Sequence, residues 1–256
     1  MDTPTPTAAV IIIGNEILSG KTTDQNTPYL AHSLHALGVD LRRIAVVPDE
    51  VPAIAQEIEN CRKRFAWVIT TGGVGPTHDD VTMAGIAAGV GTPLERHPDL
   101  ERRVHERFGP EPNRAHLKMA EAPRGATVIG LAADGGPVVR VENIFIFPGV
   151  PAYLVRKFEI VKETLRAAPF YGSEIFLNVR EEAIADLLDE TVATFPALRL
   201  GSYPHPGRTD YRVTLTLESK MASDVKAAVR FLETRLPAGA LLYVKEGDGG
   251  IETGGG

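Results

Sequence analysis

Thr70-Thr71-Gly72-Gly73-Val74-Gly75-Pro76-Thr77-His78-Asp79-Asp80 follows directly on the apolar run Phe65-Ala66-Trp67-Val68-Ile69. A β-branched and aromatic run closed by a glycine cluster reads as a buried strand ending in a loop. Beyond it Val81, Ala84, Gly85 and Ala88 recur at helical spacing. A glycine-rich turn between strand and helix lets the backbone approach a ligand closely and aims free N–H groups at an anion. Asp79 and Asp80 at the mouth of such a turn would repel a bare phosphate, and fit one only if a divalent cation lies between. The expectation is a metal-assisted phosphate or pyrophosphate site. A plainer reading makes one aspartate a helix cap. It explains one carboxylate, but not two beside a Gly-Gly-Val-Gly turn.

Upstream, strands and helices alternate. Ala8 to Ile13 is a continuous apolar run; Leu30, Leu34 and Leu37 mark a helix closed by Gly38. Val39 to Val47 returns to strand character, and Ile54, Ile58 and Cys61 mark a helix before the Trp67 strand. Such an order implies a parallel sheet covered on both faces, with ligands at the carboxyl ends of its strands. The Gly72–Asp80 loop lies at such an end, and so does Gly14-Asn15-Glu16.

Downstream, Leu100, Val104 and Phe108 form a narrow stripe on an otherwise charged segment, which reads as a solvated helix over the site. Val138–Val141 and Ile144–Phe147 read as a hairpin turning at Glu142-Asn143. The second strand leads into Pro148-Gly149-Val150-Pro151, with Pro151 suited to a first helical position. The pattern changes near Ala167–Gly172, placing an α/β domain at 1–169. Alternation in Arg212–Glu218 and helical stripes at 184–192 and 225–236 then describe a small α+β domain at 170–246. Its sheet, covered on one side, could face a partner protomer. The last segment, 247–256, holds six glycines and is expected to be flexible.

Composition narrows the partners. Of 256 residues 43% are hydrophobic and 23% charged, ordinary for a soluble globular chain. A net charge of −6 disfavours nonspecific nucleic-acid binding. No apolar run reaches the roughly 18 residues of a membrane span and no signal-peptide pattern opens the chain, so a cytoplasmic setting without membrane partners is expected. The single cysteine, Cys61, reads as an inert, partly buried thiol. Gly14 to Thr22 imitates a P-loop but places five residues between its glycines where the nucleotide motif has four. His32 and His35 lack a third ligand for zinc.

The stretch Thr71–Asp80 resembles the signature loop of the molybdopterin-binding MoaB/Mog superfamily, and its Thr77-His78-Asp79-Asp80 ending resembles the branch formed by CinA N-terminal domains. Gly14-Asn15-Glu16-Ile17-Leu18, Asp24-Gln25-Asn26 and Phe147-Pro148-Gly149-Val150-Pro151 match that branch in order and separation. Leu200–Pro204 and Tyr211–Leu217 are similar to the N-terminal region of eukaryotic FAD synthases. The resemblance implies a three-layer α/β/α domain with a mostly parallel sheet, followed by a KH-like α+β domain. It also implies a divalent-metal-dependent pyrophosphatase acting on ADP-ribose or FAD, and association into homo-oligomers. In that scheme Thr71, Gly72, Gly73 and Gly75, with Thr77 beside them, hold phosphate oxygens. Asp79 and Asp80 position Mg²⁺, Mn²⁺ or Co²⁺, with Asp24 a third catalytic candidate. Glu16 and Asn26, beside Gly14, orient water or ribose. Pro148 and Gly149 form the opposite wall, and His78 is either a general base or, beside two aspartates, an electrostatic bystander. The alternative is a non-catalytic module for molybdopterin or a related pterin. One departure stands out: CinA-type chains commonly carry Gly-Thr-Ala-Pro-Gly where this chain has Ala132-Ala133-Asp134-Gly135-Gly136-Pro137, which leaves the non-adenylate half of the ligand open. No nicotinamide-nucleotide deamidase or adenylyltransferase activity is expected.

Overall fold

β1 (Thr7–Ile13) is buried along nearly its whole length and lies second from one edge of a six-stranded sheet in the computed structural model, which describes residues 4–133 and 136–247. The chain runs on through α1 (Asn15–Leu18), α2 (Asn26–Ala36), β2 (Asp40–Val47), α3 (Val51–Arg62), β3 (Trp67–Thr71), α4 (Thr82–Val90), β4 (Leu94–Arg96) and α5 (Pro98–Phe108). Then follow α6 (Arg114–Lys118), β5 (Glu121–Pro123), β6 (Thr127–Ile129), β7 (Val138–Val141), β8 (Ile144–Phe147) and α7 (Pro151–Leu165). The strand order is β2-β1-β3-β8-β7-β6. The first four strands are parallel, and β7 and β6 close one side antiparallel. A separate two-stranded ribbon joins β4 to β5.

The alternation of side chains along β1 explains the layering. Ala8, Val10 and Ile12 enter one core with Leu30, Leu34, Phe147, Leu154 and Phe158, beneath α2 and α7. Ala9, Ile11 and Ile13 enter another with Ile54, Ile58, Ile86 and Val104, beneath α3, α4 and α5. The parallel strands are apolar throughout because both faces are covered. The Leu100–Val104–Phe108 stripe, expected to be solvated, is core instead: Leu100 and Val104 are buried in the second cluster and Phe108 packs against it. Leu100 and Val104 belong to the same core as Val139 and Val141 of the antiparallel end of the sheet.

α4 reaches the sheet by a close approach to α3. A Cβ on Gly85 would stand 2.5 Å from Ile54 Cγ2, and one on Gly89 2.8 Å from Ala55 O. Small residues at this crossing fix where α4, and the loop before it, can sit.

Cys61 is buried on α3, and its thiol is pushed up to about 12, first by burial and then by the Glu57 carboxylate it donates to at 3.2 Å. It is inert at neutral pH. Glu57 is only 8% exposed and takes a bidentate pair from Arg43 at 2.6 and 3.1 Å. Burial alone would raise its carboxyl, but the Arg43 and Cys61 hydrogen bonds outweigh that and hold it below the usual range. A depressed carboxyl contributes stability above its unfolded pKa and loses it as pH falls through the folded value. Glu57→Gln is therefore expected to cost about 1–2 kcal/mol at pH 7. In urea titrations, the gap to wild type should close as pH falls below about 4. A pH-independent gap would contradict this.

The chain divides into two compact units, residues 1–167 and 168–256. The second contains β9 (Tyr171–Leu177), a 3₁₀ turn at Glu181–Ala183, α8 (Ala185–Thr194), β10 (Arg199–Pro204), β11 (Val213–Ser219), α9 (Ala222–Arg235) and β12 (Leu241–Gly247). Its antiparallel sheet, in the order β10-β11-β9-β12, packs Ile175, Leu177, Val213, Leu215 and Leu217 against Val225, Ala228 and Leu232 of α9. The other face sets Tyr203, Thr214, Phe176 and Tyr243 in one row, with Phe176 and Tyr243 stacked at 4.4 Å. The glycine-rich end beyond Gly247 lies outside the described residues. Among the described residues no helix is long and apolar enough to cross a membrane.

Candidate functional site

β1, β3 and β8 end side by side, so the loops after Ile13, Thr71 and Phe147 meet at one edge of the sheet. Gly72 is the hinge between them. Its φ of +105° is open to glycine, and a Cβ there would stand 2.0 Å from Ile13 O. Gly149 lies against it, since a Cβ on Gly149 would sit 3.3 Å from Gly72 Cα. Thr82, at the start of α4, fastens the loop: its hydroxyl donates to Gly72 O at 2.8 Å and its amide to Gly73 O at 3.1 Å.

The anion cradle is narrower than the sequence implied. The Gly72 amide, expected to hold phosphate, donates to Phe147 O at 3.2 Å. The buried Thr71 hydroxyl, expected to do the same, donates to Pro148 O at 2.9 Å and accepts from Asn26 Nδ2 at 3.0 Å. Both groups are spent on closing the β3–β8 edge. Among the described residues the amides of Gly73, Val74 and Gly75 donate to no protein group. Successive amides of such a turn form a concave, anion-binding surface.

Asp79 and Asp80 lie at the mouth of this turn. The Thr77 hydroxyl stands 2.6 Å from Asp79 Oδ1 and 2.5 Å from Asp80 Oδ2, and the Thr77 amide donates to Asp80 Oδ2 at 2.8 Å. One hydroxyl has one proton to give and here faces two carboxylates, leaving a local excess of negative charge. The Thr77 hydrogen bond, helped by its own amide, holds the Asp79 carboxyl below the usual range. Neither aspartate caps α4, whose N-cap is Val81 without a side-chain bond. The cap reading therefore fails. Asp80 lies over Gly75, where a Cβ would meet Oδ2 at 2.6 Å, and lines a cavity of about 90 Å³ with Val74, Met83, Lys118 and Glu121. That volume is far below the several hundred Å³ of a typical cofactor pocket, so a ligand of that size would have to lie across the open edge.

The other candidates divide. Asp24 Oδ1 accepts from the Asn26 and Thr27 amides at 2.9 and 3.1 Å, a helix-start role at α2. Asn26, 7% exposed, clamps Thr71 Oγ1 and Gly149 O (2.8 Å) through Nδ2, while its buried Oδ1 has no donor among the described residues. Glu16 is exposed and folds over Gly14, 2.5 Å from where a Cβ would be. The His78 side chain is 98% exposed, 3.9 Å from Asp79. Asn26→Ala removes two buried hydrogen bonds across the edge; a loss of about 2–3 kcal/mol is expected in chemical denaturation. An unchanged midpoint would deny that clamp.

Two residues escaped the sequence reading. Asp49 accepts from the Asn15 amide at 2.7 Å, and its Oδ1 lies 3.4 Å from the Cβ position of Gly73. It follows β2 at the carboxyl edge, the place where open α/β sheets put ligand groups, and that signal was readable. Lys118 of α6 donates from Nζ to Thr77 O and brings a positive charge beside Asp79. Nothing local in the sequence marks it.

A divalent cation fits this donor set. Asp79, Asp80 and Thr77 supply hard oxygen atoms, and the two carboxylates outnumber the single lysine beside them, a setting that suits magnesium-type ions. Among the described residues no cluster of three or more His, Cys, Asp or Glu could hold a metal alone. The remaining ligands would come from phosphate oxygens and water.

A doubly covered, mostly parallel sheet with this loop at its carboxyl edge defines a three-layer α/β domain of the molybdopterin-binding type. Residues 9–167 match the family model described as a probable molybdopterin binding domain, and the chain belongs to that family. Residues 169–245 match the model described as FAD synthase, middle domain. An Archaeoglobus fulgidus protein is 33% identical over 89% of this chain and 96% of its own length. A probable FAD synthase of Caenorhabditis briggsae is 32% identical over 93% of this chain, which spans only 50% of that relative. The crystal structure of the protein CinA with unknown function from Thermoplasma acidophilum superposes with a TM-score of 0.59 at 28% identity, covering 64% of this chain and 99% of that one.

Proposed function

We propose that the chain hydrolyses the P–O–P bond of a nucleotide such as ADP-ribose or FAD, releasing AMP, with a divalent cation held by Asp79 and Asp80. The observation that carries this reading is the single Thr77 hydroxyl facing two carboxylates beside three unpaired amides. The amides of Gly73, Val74 and Gly75 bind phosphate oxygens and orient the diphosphate. Lys118 offsets its charge from the far side of the loop. Asn26 Oδ1 accepts from a ligand hydroxyl or water at the wall formed by Pro148 and Gly149. The cation, when bound, polarises the phosphoryl group and lowers the pKa of the attacking water.

The family description favours a second reading, in which the same edge binds molybdopterin or a related pterin without turnover. Incubation with FAD and ADP-ribose plus Mg²⁺, Mn²⁺ or Co²⁺, with AMP quantified by chromatography, decides between them. Metal-dependent AMP release supports hydrolysis. Tight pterin binding with no AMP from either compound overturns it.

A further inference from the structure

Two cations meet at the same edge of the central sheet as the glycine loop, further along it. The β7–β8 register pairs Val139 with Ile146, which puts Val138 level with Phe147, itself opposite Thr71. The residues just before β7 therefore leave the sheet beside Gly72 and Gly149, offset from β3 by two strand spacings, or about 10 Å. Arg103 of α5 and Lys157 of α7 reach this segment from helices on opposite faces. Arg103 Nη1 donates to Leu131 O at 2.5 Å, and Lys157 Nζ donates to Pro137 O. A Cβ on Gly136 would stand 3.6 Å from both Arg103 Nη2 and Lys157 Nζ, so the two charged groups border one small space.

Their proximity is costly. Burial, and then the Arg103 charge, draw the Lys157 ammonium down to about 8. Among the described residues both side chains bond to carbonyls only, and neither has a carboxylate partner. Like charges held close and partly shielded from water are stabilised by an anion between them.

We infer that Arg103 and Lys157 form a second anion subsite, which takes a phosphate or carboxylate on the half of the ligand remote from AMP. This rests on the hydrolysis reading for what lies in the glycine loop. Among nucleotide pyrophosphates it favours those whose second half carries an acidic group of its own over ADP-ribose and FAD, which carry none there. The offset along the sheet is one that a sugar and a phosphate bridge.

The test compares ADP-ribose with ADP-ribose 1″-phosphate, which differ by one phosphate on the distal sugar. Affinities are measured by calorimetry with Ca²⁺ in place of the activating cation, and AMP release is followed separately with Mg²⁺, Mn²⁺ or Co²⁺. Wild type is expected to bind the phosphorylated compound at least tenfold more tightly. Lys157→Met, which preserves bulk, and Arg103→Gln should each bring the ratio toward one without changing the affinity for ADP-ribose. A ratio near one in wild type, or one that both variants leave intact, overturns the inference. So does a preference that emerges only in Asp134→Asn, since the cations would then be serving the chain's own carboxylate. If the preference holds and no AMP appears, the subsite stands and the hydrolysis reading falls. If AMP is released with no preference, hydrolysis stands and the subsite falls.

Discussion

Asparagine in place of Asp80 is expected to reduce AMP release from FAD or ADP-ribose by about 100-fold or more, since ~3 kcal/mol of lost transition-state charge stabilisation is two factors of ten. The substitution keeps shape and one acceptor oxygen, so the Thr77 amide at 2.8 Å retains a partner. What disappears is charge. With one carboxylate neutral, the Thr77 proton satisfies the other, and the excess that favours a cation is gone. Asp79→Asn should act in the same direction. Both variants should melt close to wild type, because these carboxylates lie at the loop mouth rather than in either core. Rates within threefold of wild type, measured on identically purified samples, would remove the pair from the chemistry. The same comparison excludes a contaminating hydrolase.

Gly72→Ala is expected to be strongly destabilising. Two penalties coincide there: a φ of +105° and a Cβ placed 2.0 Å from the Ile13 carbonyl oxygen. Strained backbone and a backbone clash together cost about 3 kcal/mol or more. At 2–4 °C per kcal/mol for a chain of this size, the melting temperature should fall by roughly 6–12 °C. Gly20 supplies the control. It is left-handed at φ +69° with nothing within 4 Å of a Cβ, so Gly20→Ala meets only the conformational penalty of ~1–2 kcal/mol. Equal losses at the two positions would show that the close approach of β1 and β3 plays no part. Gly72→Ala should also lower activity, since the loop cannot then rest on both Ile13 and Gly149.

The features readable from sequence were those whose signal is local. Six consecutive buried residues in Ala8–Ile13, a glycine cluster after Trp67–Ile69 and the Glu142-Asn143 turn each announce themselves within ten residues. What was misread depends on partners far along the chain. Thr71 and Gly72 look like ligand groups until β3 pairs with β8, which commits them to Pro148 O and Phe147 O. Asp24 is different, because its Oδ1 is held by the amides two and three residues on, at the start of α2, a helix-start role that its own neighbourhood announces. The α5 stripe looks solvated because two apolar side chains among charged neighbours give no hint of the core they share with Val139 and Val141. The β4–β5 ribbon is three residues a side, too short for any periodicity to register. Lys118 comes to Thr77 only through the fold of α6, with no motif around it.

The antiparallel pair β6 and β7 hangs on β8 alone, at the end of the sheet. Exchanging the connection between these two strands disturbs no parallel pairing and leaves the β1–β3–β8 junction untouched. A change in the length or makeup of that connection is therefore separable, in this fold, from the junction around β3.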